Sequence, residues 1–432
     1  MNIEQIAVSA LRPYPRNART HSRKQIRQIA KSIERFGFCN PALIDDDNQI
    51  IAGHGRVEAA KLLNMDRVPV VRLSHLNDDH KRAYILADNR LAEKAGWNRE
   101  IMTIELQHLI DVGFDVELTG FETADIDLLM DDLSDESEAA DSLPAASKGP
   151  AVSRSGDLWF LGKHRLLCGD ARSAADYDRL MGCEKAEFVF TDPPWNLKIL
   201  GHVSGLGRIR HGDFAMASGE MTSNEFTTFL RSVFDQLVQH SQDGSIHQIC
   251  IDWRHLREML DAGESVYSEL KNLCIWNKRS AGNGSFYRSK HELVFVWKNG
   301  DTPHINNFEL GQHGRYRSNV WDYEGVNSFR AGRMEELAMH PTVKPVALVA
   351  DAIKDCSKRG GLVLDAFSGS GTIFIAAERT GRRARALEID PHYVDVAIKR
   401  WQKFTGKSAL LAPLEETFEE IAEQRSATPA AA

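Results

Sequence analysis

The sequence has no hydrophobic run approaching the roughly 20 apolar residues that a helix needs to cross a bilayer. Its start has no basic segment followed by an apolar one, which is the pattern of a secretory signal. These two absences predict a cytoplasmic protein that does not insert into a membrane.

Cysteine is also scarce, with six residues and no Cys-x-x-Cys pair. Several of the six lie in apolar, strand-like runs, where a free cysteine behaves as a small hydrophobic residue. The sequence therefore predicts neither a zinc site nor a disulfide framework. No repeat at a fixed period is visible.

A chain of 432 residues exceeds the ordinary size of one domain, so we expect two hydrophobic cores. Residues 134–155 contain no aromatic residue and are rich in Ser, Ala and acidic residues, as is typical of a flexible linker. We therefore predict an N-terminal domain with a helical extension at 1–133, a linker at 134–155, a second domain at 156–423 and a disordered tail at 424–432.

The net charge is −8, which argues weakly against nucleic-acid binding because phosphate contacts favour basic surfaces. The charge is unevenly spread, however. Residues 125–141 are acidic, whereas residues 202–211 and 315–333 are basic. A local basic surface on an acidic chain is compatible with DNA contact.

The first domain reads as a compact α/β unit. The stretch KQIRQIAKSIERFG has apolar residues at helical spacing and a glycine stop, and QIIAGHGRVEAAKLLNMDRVPVV reads as strand, glycine turn, helix and strand. Over roughly residues 3–90 this order resembles the ParB-like nuclease and partition-protein N-terminal domain, which is itself similar to sulfiredoxin. The resemblance implies that the turn helps to hold a nucleotide phosphate or DNA, through Gly53, His54, Gly55 and Arg56. A tight strand-to-helix turn without a ligand explains the glycines equally well.

The second domain alternates apolar strands with helices, which predicts a mostly parallel sheet covered on both faces. Thr222 and Glu225 have the spacing of a capping box at a helix start. One apolar strand, residues 362–367, runs into Ser368-Gly369-Ser370-Gly371-Thr372 and a helix, and Glu388 ends the next strand. A glycine-rich turn followed at about 20 residues by an acid that accepts ribose hydroxyls predicts an adenosyl pocket. The loop lacks the GKT or GKS ending of phosphate-loop NTPases, so S-adenosylmethionine suits it at least as well as a dinucleotide.

The segment Asp192-Pro193-Pro194-Trp195 follows an apolar strand. Consecutive prolines cannot continue a central strand, so the chain must leave the sheet at the carboxyl edge where α/β sheets bind ligands. The Asp192 carboxylate and the Pro193 carbonyl can accept both hydrogens of an aryl amine and direct its lone pair toward a methyl donor. Trp195 offers a flat surface for a base pulled out of the helix. The alternative is a simple turn with a core tryptophan.

With these residues in order, the chain resembles the amino-methyltransferases that act on DNA, and the position of DPPW before HPTVKP and FSGSGT resembles their permuted β-group. The resemblance implies an α/β fold, a circularly permuted Rossmann-like S-adenosylmethionine-dependent methyltransferase sheet beside the small ParB-like domain. It places Asp170 near the cofactor adenine, and Thr342 and Lys344 near the methionine carboxylate. The expected cofactor-binding residues are Asp170, Thr342, Lys344, Asp365, Phe367, Ser368, Gly369, Ser370, Gly371, Thr372 and Glu388.

The resemblance also bears on the substrate, because similar enzymes with Asp first in DPPW act on adenine N6. Cytosine C5 is disfavoured, since that chemistry needs a cysteine nucleophile and no Pro-Cys pair occurs. We expect a site-specific methyltransferase acting on double-stranded DNA without a metal, of restriction-modification or prophage type, with a homodimer left open. Cytosine N4, RNA as substrate, and a ParB-like DNA-binding regulator remain the alternatives.

Overall fold

The computed structural model describes residues 2–131, 141, 149–196, 219–278, 286–311, 314–325 and 343–427. The chain forms two compact units, Met1–Leu133 and Ser134–Ala432. In these described ranges, no helix has both the length and the apolar character that a membrane span requires.

The N-terminal unit contains a four-stranded sheet in the order β1-β4-β2-β3, in which β2 and β4 are parallel and the other pairs antiparallel. Its core contains Ala42, Ile44, Val57 and Val70, all fully buried. The elements are β1 Ile3–Ala7, α1 Arg23–Phe36, β2 Ala42–Ile44, β3 Ile50–Ala52, α2 His54–Leu62, β4 Arg67–Arg72, α3 Asp78–Glu93, α4 Arg99–Asp111 and α5 Thr123–Asp131.

The predicted amphipathic helix is α1. It begins at a Ser22 cap, whose side chain accepts a hydrogen bond from the Gln25 amide, and it ends at Gly37. Ile33 is buried against α2, whereas Phe36 is half exposed and stacks on Phe114 at 6.1 Å between ring centroids. The helical extension, α4 and α5, builds a small core of its own.

The second unit is built on an eleven-stranded sheet in the order β11-β9-β10-β8-β7-β12-β13-β6-β5-β14-β15, as far as the chain is described. Its strands are β5 Leu158–Leu161, β6 His164–Cys168, β7 Ala186–Thr191, β8 Ser241–Ile251, β9 Glu269–Asn277, β10 His291–Lys298, β11 Val320–Asp322, β12 Leu362–Asp365, β13 Arg383–Glu388, β14 Leu410–Ala412 and β15 Glu416–Thr417. Its helices are α6 Ala174–Met181, α7 Ser223–Gln239, α8 Leu256–Glu264, α9 Val346–Cys356, α10 Thr372–Thr380, α11 Pro391–Thr405 and α12 Phe418–Ala427.

The prediction of a parallel sheet holds for its centre, where β8, β7, β12, β13 and β6 pair in parallel. Both flanks are mainly antiparallel: β10 pairs with β8 and β9 on one side, and β5 pairs with β6 and β14 on the other. The stretch GDLWFLGKHRLLC forms the hairpin of β5 and β6. Phe188 and Val189 point to opposite faces of β7 and join two separate clusters, so the sheet is covered on both sides.

The capping box is confirmed at the start of α7. The Thr222 amide donates to Glu225 Oε2 at 2.8 Å, and the Glu225 amide donates to Thr222 Oγ1 at 3.3 Å. Phe226 and Phe234 follow on the buried face of the helix.

The predicted linker and the predicted disordered tail are both ordered at the residues that the structure describes. The end of the predicted linker is fixed, because the main-chain amides of Val152 and Ser153 donate to the Asp395 carboxylate at 2.7 and 2.9 Å. The predicted tail begins inside α12, where Arg425 donates to Asp157 Oδ1 at 3.1 Å. Both segments are held by side chains distant in sequence, which local composition cannot show.

The prediction of a basic surface at residues 315–333 is wrong for the first two arginines of this stretch. Arg315 Nη2 lies 2.8 Å from Asp355 Oδ1, and Arg317 Nε lies 2.9 Å from Asp355 Oδ2. Both arginines are largely buried against α9, so they are not part of a free basic surface. Residues 326–333, and the other basic stretch at 202–211, lie outside the described residues.

Candidate active site

The DPPW segment and the glycine-rich loop begin at neighbouring ends of parallel strands. Thr191, the last residue of β7, donates through Oγ1 to Asp365 Oδ1 at 2.8 Å. The Ala366 amide donates back to Thr191 Oγ1 at 3.2 Å, and the Phe367 amide donates to Asp365 Oδ1 at 3.0 Å. Because Thr191 and Asp365 are buried, these bonds fix the two segments against each other.

The Asp192 carboxylate is held from two sides. Its Oδ1 accepts a hydrogen bond from Trp195 Nε1 at 3.1 Å, and its Oδ2 forms an ion pair with Lys344 Nζ. Burial raises the pKa of Asp192, the neighbouring Lys344 ammonium opposes that rise, and the Glu292 carboxylate adds to it. Pro193 is buried and Pro194 is half-buried beside it. The structure thus brings the four residues of the predicted motif together at one point of the sheet edge.

Lys344 lies against the DPPW motif. Its Nζ is 3.1 Å from Glu292 Oε2, 5.2 Å from the centre of the Trp195 ring and 5.8 Å from that of Trp276. The resemblance had placed Lys344 near a methionine carboxylate, whereas its partners in the structure are the carboxylates of Asp192 and Glu292. Thr342 lies outside the described residues.

Sequence reasoning missed Glu292 and its second partner, Lys278, whose Nζ contacts Glu292 Oε1. The available signal was a glutamate inside the otherwise apolar strand HELVFVWK, since a buried carboxylate requires a partner.

The glycine-rich loop is anchored to Glu388 at the end of β13. The Gly369 amide donates to Glu388 Oε2 at 2.8 Å, and the Asp390 amide donates to Oε1 at 3.0 Å. Burial raises the pKa of Glu388 to about 7. Burial likewise raises the pKa of Asp365, in the same row of strand ends, to about 7. Two such carboxyls at a ligand-binding edge are typical of a functional site.

The turn from Ser368 to Thr372 depends on Gly371, which has φ 79° and caps α10. A Cβ on Gly371 would lie 2.7 Å from Ala397 Cβ, so a larger residue does not fit. The side chains of Ser370 and Thr372 accept hydrogen bonds from Arg400 Nη1, at 3.1 and 2.9 Å. Those two side chains therefore face the protein.

Two further predicted residues lie at this edge. Ser368 Oγ is buried without a hydrogen-bond partner among the described residues. Phe367 is half-buried, with its ring 6.2 Å from that of Phe229.

Asp170 is brought to the same edge by the parallel pairing of β6 with β13. The Gly169 amide donates to the main-chain oxygen of Glu388 at 3.0 Å. The Arg172 guanidinium donates to Asp170 Oδ2 at 2.7 Å, and this bond lowers the pKa of Asp170. Across the described part of the chain, no cluster of three or more His, Cys, Asp and Glu side chains could hold a metal ion.

The glycine turn of the N-terminal unit also has a structural explanation. Gly53 has φ 94° at the start of α2, and a Cβ on Gly55 would lie 3.1 Å from His21 Cε1. His54 Nε2 accepts from the Tyr14 amide at 3.3 Å, and Arg56 Nη2 donates to the Pro41 carbonyl at 3.3 Å. Anion binding by this turn stays a prediction.

Comparison with known proteins agrees with both units. A family model described as DNA methylase matches residues 186–399. Models of the ParB N-terminal domain and of the ParB-methyltransferase HTH domain match residues 1–90 and 100–155.

Individual proteins are similar to parts of the chain. The chain is 57% identical over 72 residues to the ParB-like nuclease domain-containing protein YnaK of Escherichia coli (strain K12), covering 17% of this chain and 83% of that protein. It is 27% identical over 235 residues to the type II methyltransferase M2.DpnII of Streptococcus pneumoniae, covering 50% of this chain and 82% of that protein. The crystal structure of the M1.HpyAVI-SAM complex matches with a TM-score of 0.41 and 18% identity, over 54% of this chain and 97% of that one.

The motif order, the strand ends that carry the motifs and the matching family models lead to one assignment. The chain consists of an N-terminal ParB-like domain fused to a DNA methyltransferase domain.

Proposed function

We propose that the protein transfers a methyl group from S-adenosylmethionine to the N6 amino group of adenine in double-stranded DNA. The hydrogen bond between Thr191 and Asp365 carries this proposal, because it joins the base-binding motif to the cofactor loop. Two substrates can react only when they are held in contact, and adjacent strand ends provide that proximity.

The residues at the glycine-rich loop fit an adenosyl group. Each Glu388 oxygen accepts one main-chain hydrogen bond and has a second lone pair available for a ribose hydroxyl. The buried hydroxyl of Ser368, without a partner among the described residues, is a further polar group that a ligand can satisfy. When bound, S-adenosylmethionine supplies a methyl group on a positively charged sulfur, already activated for transfer.

The protein's own residues supply orientation. Asp192 and the Pro193 carbonyl accept the hydrogens of the target amine and hold its lone pair toward the cofactor loop. Trp195 is fixed by its hydrogen bond to Asp192, so its ring forms a prepared surface for the extruded base. The choice of adenine is supported by the resemblance to enzymes with Asp at the first position of this motif.

The proposal is tested by nucleoside mass spectrometry of DNA and RNA from a host that expresses the protein, using the Asp192→Ala variant for comparison. We expect N6-methyladenine in the DNA of the wild-type host and not in that of the variant. A matched control, Asp261→Ala, removes an exposed carboxylate of the same unit and should retain the modification. Detection of N4-methylcytosine would identify cytosine as the substrate in place of adenine. Detection of modified RNA alone would identify RNA as the substrate in place of DNA. No modified base at all would refute the transferase activity.

The raised pKa of Glu388 predicts a pH dependence of cofactor binding. Only the ionised carboxylate accepts two ribose hydroxyl bonds, and it becomes protonated as the pH falls through about 7. We expect the affinity for S-adenosylmethionine to be nearly constant above about pH 8 and to fall roughly tenfold per pH unit below about pH 6. Isothermal titration calorimetry across this range measures it.

Asp365 titrates in the same range, so the Glu388→Gln variant separates the two carboxyls. It should bind the cofactor more weakly at high pH and lose most of the pH dependence. Glu419→Gln, which removes an exposed glutamate, serves as the control. A wild-type affinity that does not change below pH 7 would contradict the role of Glu388.

A further inference from the structure

Four charged side chains of alternating sign lie in a row beside the DPPW motif. Lys278 Nζ contacts Glu292 Oε1, Lys344 Nζ lies 3.1 Å from Glu292 Oε2, and the same ammonium contacts Asp192 Oδ2. They come from three strand ends and from the segment before α9. Lys344 belongs to the HPTVKP motif and Asp192 to the DPPW motif, whereas Lys278 and Glu292 lie outside the motifs that the sequence analysis identified.

Glu292 is the unexpected member of this row. Its side chain is 3% exposed, and it lies in β10 among apolar residues. Burying a carboxylate and an ammonium carries a desolvation penalty that their attraction offsets only in part, so apolar residues of similar size stabilise a fold at least as well. Stability alone therefore does not explain a glutamate at this position.

We propose that Glu292 is a positioning residue for methyl transfer, because it shares Lys344 with Asp192 and so keeps the Asp192 carboxylate a strong acceptor for the target amine. This inference rests on the proposed function. Glu292 itself is held from the other side by Lys278, and the Trp195 and Trp276 rings lie close to Lys344.

The balance of charge explains how sharing would work. The row contains two carboxylates and two ammoniums, so it is neutral when all four are ionised. Without the charge of Glu292, Lys344 would interact with Asp192 alone and leave it a weaker base. Without Lys278, the row would carry an excess negative charge, and the Asp192 anion would be disfavoured.

Among the described residues, two other titratable groups face the row from neighbouring strands. Cys250 of β8 is buried, and burial raises its pKa well above the usual value, so it stays a neutral thiol. Asp365 of β12 has a pKa of about 7. Its protonation contributes to the acid limb, the part of a pH profile where activity falls as the pH is lowered. The variants Glu292→Gln and Lys278→Met leave both residues in place. The direction in which the low-pH side of the activity profile moves therefore reports on the charge of the row.

The experiment compares the pH profiles of kcat for the wild type, Glu292→Gln and Lys278→Met on DNA. Activity requires the Asp192 anion, so it is lost as the pH falls through the pKa of that group. We expect the acid limb to move to lower pH in Glu292→Gln and to higher pH in Lys278→Met. We also expect Glu292→Gln to lower the plateau kcat by about tenfold to a hundredfold, with little change in KM for DNA.

The matched control is Lys271→Met, which removes a lysine from an ion pair with Glu269 on β9, the same strand that leads to Lys278. Its profile should follow the wild type. If both test variants keep the wild-type limb while the wild type is active, the inference is overturned and the proposed function stands. If the wild type transfers no methyl group, both fail together.

Because Lys278 is partly exposed, we expect its replacement to disturb folding less than replacement of the buried Glu292. Should Glu292→Gln fail to fold, as judged by circular dichroism, the Lys278→Met limb decides alone. An unchanged limb in that variant overturns the inference. A purely structural glutamate predicts a loss of stability without opposite movements of the two limbs.

Discussion

Replacing Asp192 with Asn is expected to lower kcat by about 10²–10⁴-fold, the range typical of a group that handles the reacting proton. The substitution keeps the shape of the side chain and its oxygen toward Trp195. It removes the negative charge and can turn an NH₂ group toward Lys344 and the target amine, where an acceptor is needed. Affinity for S-adenosylmethionine should change by no more than about threefold, because Asp192 is not one of the proposed cofactor-binding residues in the glycine-rich loop and at Glu388.

Single-turnover methylation at saturating cofactor measures this effect, and calorimetry measures the binding. Asp261→Asn provides the control, since its carboxylate is exposed and pairs with Arg257 of the same helix, α8. A variant that lost cofactor affinity and kcat to the same degree would assign Asp192 to cofactor binding. A variant with wild-type kcat would remove the residue from the mechanism.

The Asp355→Ala variant is expected to lose about 3–5 kcal/mol of the free energy of unfolding of the methyltransferase unit, the usual result of removing one partner of a buried ion pair. Asp355 receives both Arg315 and Arg317, and its own side chain is almost fully buried. Its removal would leave two arginines near the core with Asp351 as their one carboxylate partner among the described residues.

Urea unfolding followed by tryptophan fluorescence measures the difference, with the two units analysed as separate transitions. Asp178→Ala is the control, because that exposed carboxylate lies 3.5 Å from His240 and should contribute no more than about 0.5 kcal/mol. If Asp355→Ala were as stable as this control but bound DNA more weakly, the two arginines would belong to the DNA surface after all.

The parts of the site that were predictable are encoded in short contiguous segments. DPPW ends a strand because proline cannot continue it. The glycine-rich loop is the turn between an apolar strand and a helix, and Gly371 caps that helix. Each of these conclusions requires fewer than ten residues. The helical extension was likewise visible as helices, although its match to an HTH domain was not.

The parts that were missed depend on pairing between distant segments. Lys278 and Glu292 meet because β9 and β10 are antiparallel with Asn277 opposite His291, a register that no local pattern specifies. Lys344 reaches them from another part of the chain. For the same reason composition could show that Arg315 and Arg317 are basic, but not that Asp355 lies beneath them.

The hydrogen bond between Thr191 and Asp365 joins residues 174 positions apart, and this separation has a consequence for synthesis. A ribosome adding roughly 5–20 residues per second makes Asp365 about 9–35 s after Thr191. During that interval β7 lacks its parallel neighbour β12, and for most of it Asp192 lacks Lys344. A nascent chain therefore lacks the proposed methyl-transfer centre until Asp365 has been added, and any chain that ends before residue 344 should be inactive on DNA.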